Sequence, residues 1–248
     1  MDPTEYHNLD RIEREHWYYS GKRQLVLDWI ERTRPLRPDD TLLDFGAGTG
    51  IFASGLKGRC RVLVLDAYEE SRKLLARHFP PDAILAPEAD DHRIPLPAGC
   101  VDCVTTLDVL EHIRADQQAV DDIHRVLRPG GILVATVPAD MRLWSDWDET
   151  LHHVRRYSRR SLASLFRSRH WAINHIAHTN VLAYPAVFLI RGLRASKRRE
   201  GTGRSRTEDR IPPAPLNRLL RAAFVSTGNA GWFRMPFGVS LLVVATKK

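Results

Sequence analysis

The stretch Thr41-Leu-Leu-Asp-Phe-Gly-Ala-Gly-Thr-Gly50 constrains the fold of this chain more than any other. An apolar run reaches an acid, Asp44, and glycines follow at alternate positions, Gly46, Gly48 and Gly50. Such a segment reads as a buried strand that turns sharply into a helix. Glycine reaches positive φ without strain and lets a ligand approach the backbone with no Cβ in the way. The N–H groups that open the next helix then face an anionic ligand group. A second apolar run, Val62-Leu-Val-Leu-Asp66, ends in another acid. The two acids stand at about the ~20-residue spacing at which doubly wound folds hydrogen-bond a ribose. The pair implies a nucleoside-containing cofactor. A nicotinamide turn, G-x-G-x-x-G, would carry its last glycine where this chain has Ile51.

Hydrophobic spacing predicts a helix over residues 7–33, with Leu25, Val26, Trp29 and Ile30 on one face, ended by Pro35 and Pro38. Strands are expected over 41–45, 61–65, 83–86, 101–107 and 132–137, separated by helices over 50–57, 69–78 and 116–127. This alternation implies parallel strands with right-handed crossovers. Further on, the pattern predicts a helix over 161–169, a strand over 171–177, an apolar segment over 181–193 and a helix over 216–225. The polar, basic run 196–210 reads as flexible, and 238–245 as a final edge strand. The expected fold class is α/β: a doubly wound, Rossmann-like, mostly parallel seven-stranded sheet with helices on both faces. It divides into a helical cap (1–40), a cofactor-binding core (41–180), an apolar and basic helical insertion (181–237) and a last strand completing the sheet (238–248).

Net charge is +7, unevenly spread: residues 155–221 hold 16 Lys and Arg against three acids. That asymmetry points to an anionic partner, whether a phosphorylated substrate, a membrane surface or nucleic acid, unless the charges belong to a solvated loop. Three cysteines suit a reducing compartment, and no metal site is expected. The start is acidic and polar rather than secretory, and no apolar run reaches the ~18 residues of a membrane span. The expected location is the cytoplasm, with peripheral contact at the inner face of a membrane through the 181–210 region.

Three further segments bear on the cofactor: Pro87-Glu-Ala-Asp-Asp-His-Arg-Ile-Pro-Leu-Pro97, Val101-Asp-Cys-Val-Thr-Thr-Leu-Asp-Val-Leu-Glu-His112 and Leu127-Arg-Pro-Gly-Gly-Ile-Leu133. With the glycine turn, their order and spacing over residues 41–137 resemble the class I S-adenosylmethionine (SAM)-dependent methyltransferases. The resemblance implies SAM as cofactor, held by Asp44, Gly46, Ala47, Gly48, Gly50, Asp66, Asp90, Asp91 and Asp108. In that arrangement the turn admits the methionine carboxylate and Asp66 accepts from the ribose hydroxyls. Asp90 accepts from the adenine amine, with the Asp91 backbone beside it.

The segment Leu143-Trp-Ser-Asp-Trp-Asp-Glu-Thr-Leu-His-His-Val-Arg-Arg-Tyr157 resembles one found after strand five in a bacterial subgroup of the same enzymes. It offers Trp144, Arg155, Arg156 and Tyr157 as substrate contacts, since paired arginines suit phosphate or carboxylate. A packed cap with internal salt bridges is the competing reading. Candidate bases are His153, His112 and Asp108, needed only where the acceptor must lose a proton. The helix Glu15-His-Trp-Tyr-Tyr-Ser-Gly-Lys-Arg23 also resembles that subgroup, either closing over the cofactor or packing as core. No Asn/Asp-Pro-Pro-Tyr or Pro-Cys motif is present, which argues against nucleic-acid bases and for a small-molecule or lipid-like acceptor. Two other classes remain: a non-catalytic module of this fold that contacts nucleic acid or an anionic surface through its basic third, and a nicotinamide oxidoreductase.

Overall fold

A computed structural model describes residues 12–88, 93–167, 170–196, 210–230 and 235–248. Seven strands form one sheet: β1 (Thr41–Phe45), β2 (Arg61–Leu65), β3 (Ile84–Leu85), β4 (Val101–Leu107), β5 (Leu127–Pro138), β6 (Trp171–Thr179) and β7 (Ser240–Lys247). Their order is β3-β2-β1-β4-β5-β7-β6. The first five are parallel, and β7 runs antiparallel to both β5 and β6. Every residue of β1 is buried, as befits a central parallel strand covered on both faces. Successive residues serve opposite cores. Leu43, Val104, Leu133 and Val243 point into one core with α4 (Asp116–Val126). Leu42, Cys103, Val134 and Val244 point into the other, against α1 (Trp17–Thr33) and Phe224 of α8 (Ala214–Asn229). The remaining helices are α2 (Ile51–Ser54), α3 (Glu69–Leu75), α5 (Asp146–Thr150), α6 (Arg159–Ser164) and α7 (Tyr184–Ser196).

Several expectations shift. The first helix breaks at His16, whose ring accepts from the Tyr18 N–H and caps α1. The helices after β1 and β2 are short, because Gly55 and Gly58 and then Pro80 interrupt them. The Arg128-Pro-Gly-Gly131 turn lies within β5 as a bulge: Leu127 pairs with Val101, yet Ile132 pairs with Cys103. Gly130 takes φ 77° there. The last strand is not an edge. Its residues 240–245 are all buried and its backbone pairs with β5 on one side and β6 on the other; β6, with its exposed Asn174, takes the edge instead. Cys100 and Cys103 stand at Cys-x-x-Cys spacing but are free thiols, and burial pushes the Cys103 thiol far up. Among the described residues no helix is long and apolar enough to cross a membrane. Most of the basic run 196–210 lies outside the described residues.

Candidate active site

The carboxyl ends of β1, β2, β4 and β5 meet at one rim, where such sheets bind ligands. After β1 the chain makes the glycine turn, with Gly46, Gly48 and Gly50 all at positive φ. A Cβ on Gly46 would strike Val109, and one on Gly50 would strike Leu75; a Cβ on Gly48 would meet nothing within 4 Å. The middle of the turn thus presents bare backbone to open space, beside Ala47. Asp66, at the end of β2, accepts the Gly48 N–H at 2.8 Å and the Tyr68 N–H at 3.0 Å. Each of its oxygens keeps acceptor capacity. Asp44 is buried and accepts from Thr105 Oγ1 at 2.7 Å. Burial, then repulsion from Asp66 and Glu13, pushes the Asp44 carboxyl up to about 7. Glu13 also accepts from the Thr49 hydroxyl. Three carboxylates around one backbone turn suit a ligand that brings hydroxyl donors and positive charge. Asp90 and Asp91 lie outside the described residues.

Asp108 ends β4 with φ 57°. It pairs with Lys22 of α1 at 2.6 Å and accepts from Thr136 Oγ1 at 3.0 Å. Burial opposes ionisation, but the Lys22 charge wins and holds the carboxyl below its ordinary range. Asp108 is therefore a weak proton acceptor. Lys22 in turn sits 5.0 and 5.3 Å from the ring centroids of Tyr18 and Tyr19. Aromatic α1 thus lies over the rim, tied to it by a half-buried ion pair.

Beyond Asp108 opens a cavity of about 530 Å³. Its walls include Glu13, Tyr18, Tyr19, Asp108, Glu111, His112, Trp147, His153, Arg156 and Arg191. Glu13 links it to the glycine turn. His153 Nδ1 is hydrogen-bonded to Asp148 at 2.9 Å, and its ring lies 4.8 Å from that of His112. Burial, then the His153 charge, lowers His112 to about 4, so it is a neutral imidazole near pH 7. Glu111 is fully buried with neither carboxylate oxygen in a hydrogen bond, and burial keeps it well above the usual carboxyl range.

The Arg-Arg-Tyr segment is distributed differently. Arg156 donates to Asp148 at 2.7 and 3.1 Å and reaches the cavity only as part of that buried pair. Arg155 pairs with Asp116 and bonds the Arg114 carbonyl at 2.8 Å. Tyr157 donates to Leu110 O and Asp116. Neither Arg155 nor Tyr157 borders the cavity, and its indoles are Trp17 and Trp147 rather than Trp144. Nothing in the sequence singles out Lys22, Glu13 or Glu111, although Lys22 lies in the helix Glu15–Arg23 and Glu111 in the segment Val101–His112.

Residues 17–176 match the methyltransferase domain family, more than half of the chain. The chain belongs to the methyltransferase domain family. It shares 34% identity over 153 residues with a 37.1 kDa protein in transposon TN4556 of Streptomyces fradiae, covering 59% of this chain and 40% of that one. A malonyl-[acyl-carrier protein] O-methyltransferase of Enterobacter lignolyticus is 27% identical over 197 residues, 73% of this chain and 76% of that one. The match thus spans well under half of the first relative and about three quarters of the second. Among solved structures, geranyl diphosphate C-methyltransferase from Streptomyces coelicolor A3(2) shares the fold, with TM-score 0.62 at 16% identity, over 93% of this chain and 76% of that one. Family and fold are those of the class I SAM-dependent methyltransferases, a family whose cofactor is SAM.

Proposed function

We propose that this methyltransferase moves the methyl group of SAM onto a small-molecule or lipid-like acceptor held in the 530 Å³ cavity. One observation carries the reading: the glycine turn, with its open Gly48 backbone and the Asp44–Asp66 pair, shares the rim with that cavity, and Glu13 touches both. When bound, SAM supplies an already activated methyl on a sulfonium. The chain's own work is to orient and to exclude water. Gly46, Ala47, Gly48 and Gly50 shape the backbone cradle. Asp66 accepts from ribose hydroxyls, Asp44 faces the positive end, and Asp90 and Asp91 take the adenine. Tyr18, Tyr19 and Trp147 wall the acceptor space, and His153, held by Asp148, is poised to take a proton from an acceptor atom.

The names of relatives support the acceptor class: one acts on malonyl-[acyl-carrier protein], and one, from Caulobacter vibrioides, is a ubiquinone biosynthesis O-methyltransferase. The exposed apolar residues Leu182, Phe188, Leu189 and Ile190, near a basic stretch, support peripheral contact with an anionic membrane. Calorimetry with SAM and S-adenosylhomocysteine, followed by labelled-methyl transfer into fractionated extract, tests the reading. Binding of both, with label in an organic-soluble fraction, is expected; indifference to both ligands sinks it.

A further inference from the structure

We propose that Glu111, His112 and His153 form a binding site for one first-row divalent transition-metal ion, open on the cavity. The two elements that supply them are far apart in sequence. Glu111 and His112 sit in the single turn Leu110–His112 after β4, and His153 follows α5. Their ligand atoms nevertheless all lie within 4.8 Å of one another. Metal–ligand distances of roughly 2.0–2.2 Å place the atoms around one ion about 3–4 Å apart, so only a small side-chain contraction is needed.

His153 is prepared from behind. His153 Nδ1 faces Asp148, which Arg156 at 2.7 Å and Arg191 at 3.6 Å hold in place. That leaves His153 Nε2 directed at Glu111 Oε1, 4.0 Å away. A carboxylate behind a ligating histidine is the usual way to fix its tautomer and raise its basicity. The His112 ring meets that of His153 edge-on, their centroids 4.8 Å apart. Glu111 is the independent sign of a site: its carboxyl group is fully buried and, among the described residues, neither oxygen accepts a hydrogen bond, with His153 Nε2 standing off at 4.0 Å. A group in that state costs free energy unless a cation or a proton meets it. The nearby Lys22 is engaged with Asp108 at 2.6 Å.

Two imidazoles and one carboxylate select zinc, manganese, iron or cobalt rather than magnesium or calcium, which prefer all-oxygen sites. Three protein ligands leave positions for an oxygen or sulfur of the acceptor, whose proton the ion would loosen; with the ion bound, His153 Nε2 is a ligand and no longer the base. The ion site stands on the three side chains alone; only its role toward an acceptor rests on the methyl-transfer reading.

The test strips the purified full-length chain with EDTA and titrates it with Co²⁺, whose visible bands report coordination, and with Zn²⁺. One equivalent is expected. Glu111→Gln should lower affinity by more than tenfold and abolish the Co²⁺ bands, and Asp148→Asn should weaken binding about 10–100-fold. Glu111→Gln removes charge without changing shape, and its melting in EDTA should match or exceed that of the unsubstituted chain. Should it fail to fold, His153→Asn replaces it in the titration. Absence of stoichiometric uptake, or uptake unchanged in these variants, overturns the site and means that a proton satisfies Glu111. A parallel SAM titration on the stripped protein separates the two readings: SAM bound without an ion removes only the metal site, and an ion bound without SAM removes only methyl transfer.

Discussion

Asp44 carries the clearest linkage in the molecule. Its folded value of about 7 exceeds the ordinary 3.8, owing first to burial and then to Asp66 and Glu13. Between those values the folded chain keeps a proton that the unfolded chain has released. Stability from this group is therefore full below about pH 4 and is lost as pH rises through 7, by about 4 kcal/mol. Asp44→Asn keeps the acceptor oxygen for Thr105 and removes the titration. Its melting temperature should change less between pH 5 and pH 8 than that of the unsubstituted chain, and parallel pH profiles would refute the assignment. Positive charge from bound SAM should draw Asp44 into its ionised form, so SAM affinity should rise with pH over the same window and flatten in the variant. Asp66→Ala should weaken SAM roughly 10–100-fold, since each hydrogen bond to a charged group contributes about 1.5–3 kcal/mol. His153→Asn should slow transfer while leaving SAM affinity unchanged, as a single-turnover assay can show. The placement of Asp44 and Asp66 beside the glycine turn was legible from sequence because strand, turn and helix are local. Lys22 was not, because the ion pair that matters joins residues 86 positions apart.

At the scale of elements, α1 reaches the rim through its contact with α8, and that contact depends on small residues. A Cβ on Gly228 would lie 2.6 and 2.9 Å from the two methyls of Leu25, which is only 1% exposed. Gly21 faces Phe224 in the same way. Alanine normally stabilises a helix by about 1 kcal/mol over glycine. Overpacking a core costs about 1–3 kcal/mol, and here it should win. Gly228→Ala should lower the melting temperature by a few degrees, and Leu25→Val in the same chain should restore most of it. A Gly228→Ala chain that melts at or above the original temperature would show that the helices slide apart freely. The amphipathic pattern revealed both helices; it held no information on which faces meet. The same limit explains β7. Its β-branched run was readable as a strand, but its place between β5 and β6 follows from backbone pairing with β5 and with β6, some 70 residues earlier. The Arg-Arg-Tyr segment teaches a related lesson, since residue types that suit a substrate anion also suit Asp148 and Asp116, and the chain supplies those anions itself.

For the whole molecule, charge and apolar exposure coincide. Of nine large hydrophobics exposed among the described residues, six fall between Leu182 and Leu219: Leu182, Phe188, Leu189, Ile190, Leu216 and Leu219. The same region of the sequence holds most of the basic excess, although Arg156 and Arg191 spend their charge internally on Asp148. On the reading proposed above, the exposed apolar side chains of α7 and α8, with the basic stretch between them in sequence, would rest on anionic lipid without crossing it. Each basic residue near such a surface contributes about 1 kcal/mol, a contribution that salt screens. Such contact would bring a lipid-like acceptor to the cavity that Ala183, Val187 and Arg191 of the same region help to line. Vesicles rich in phosphatidylglycerol should therefore float the intact chain, vesicles of phosphatidylcholine alone should not, and raising salt to ~0.5 M should release most of it. Leu189→Glu with Leu219→Glu should abolish flotation without changing SAM affinity, since neither residue borders the rim. Failure of the intact chain to float with anionic vesicles would leave the apolar face unrelated to membranes and restrict the acceptor to molecules that arrive through water.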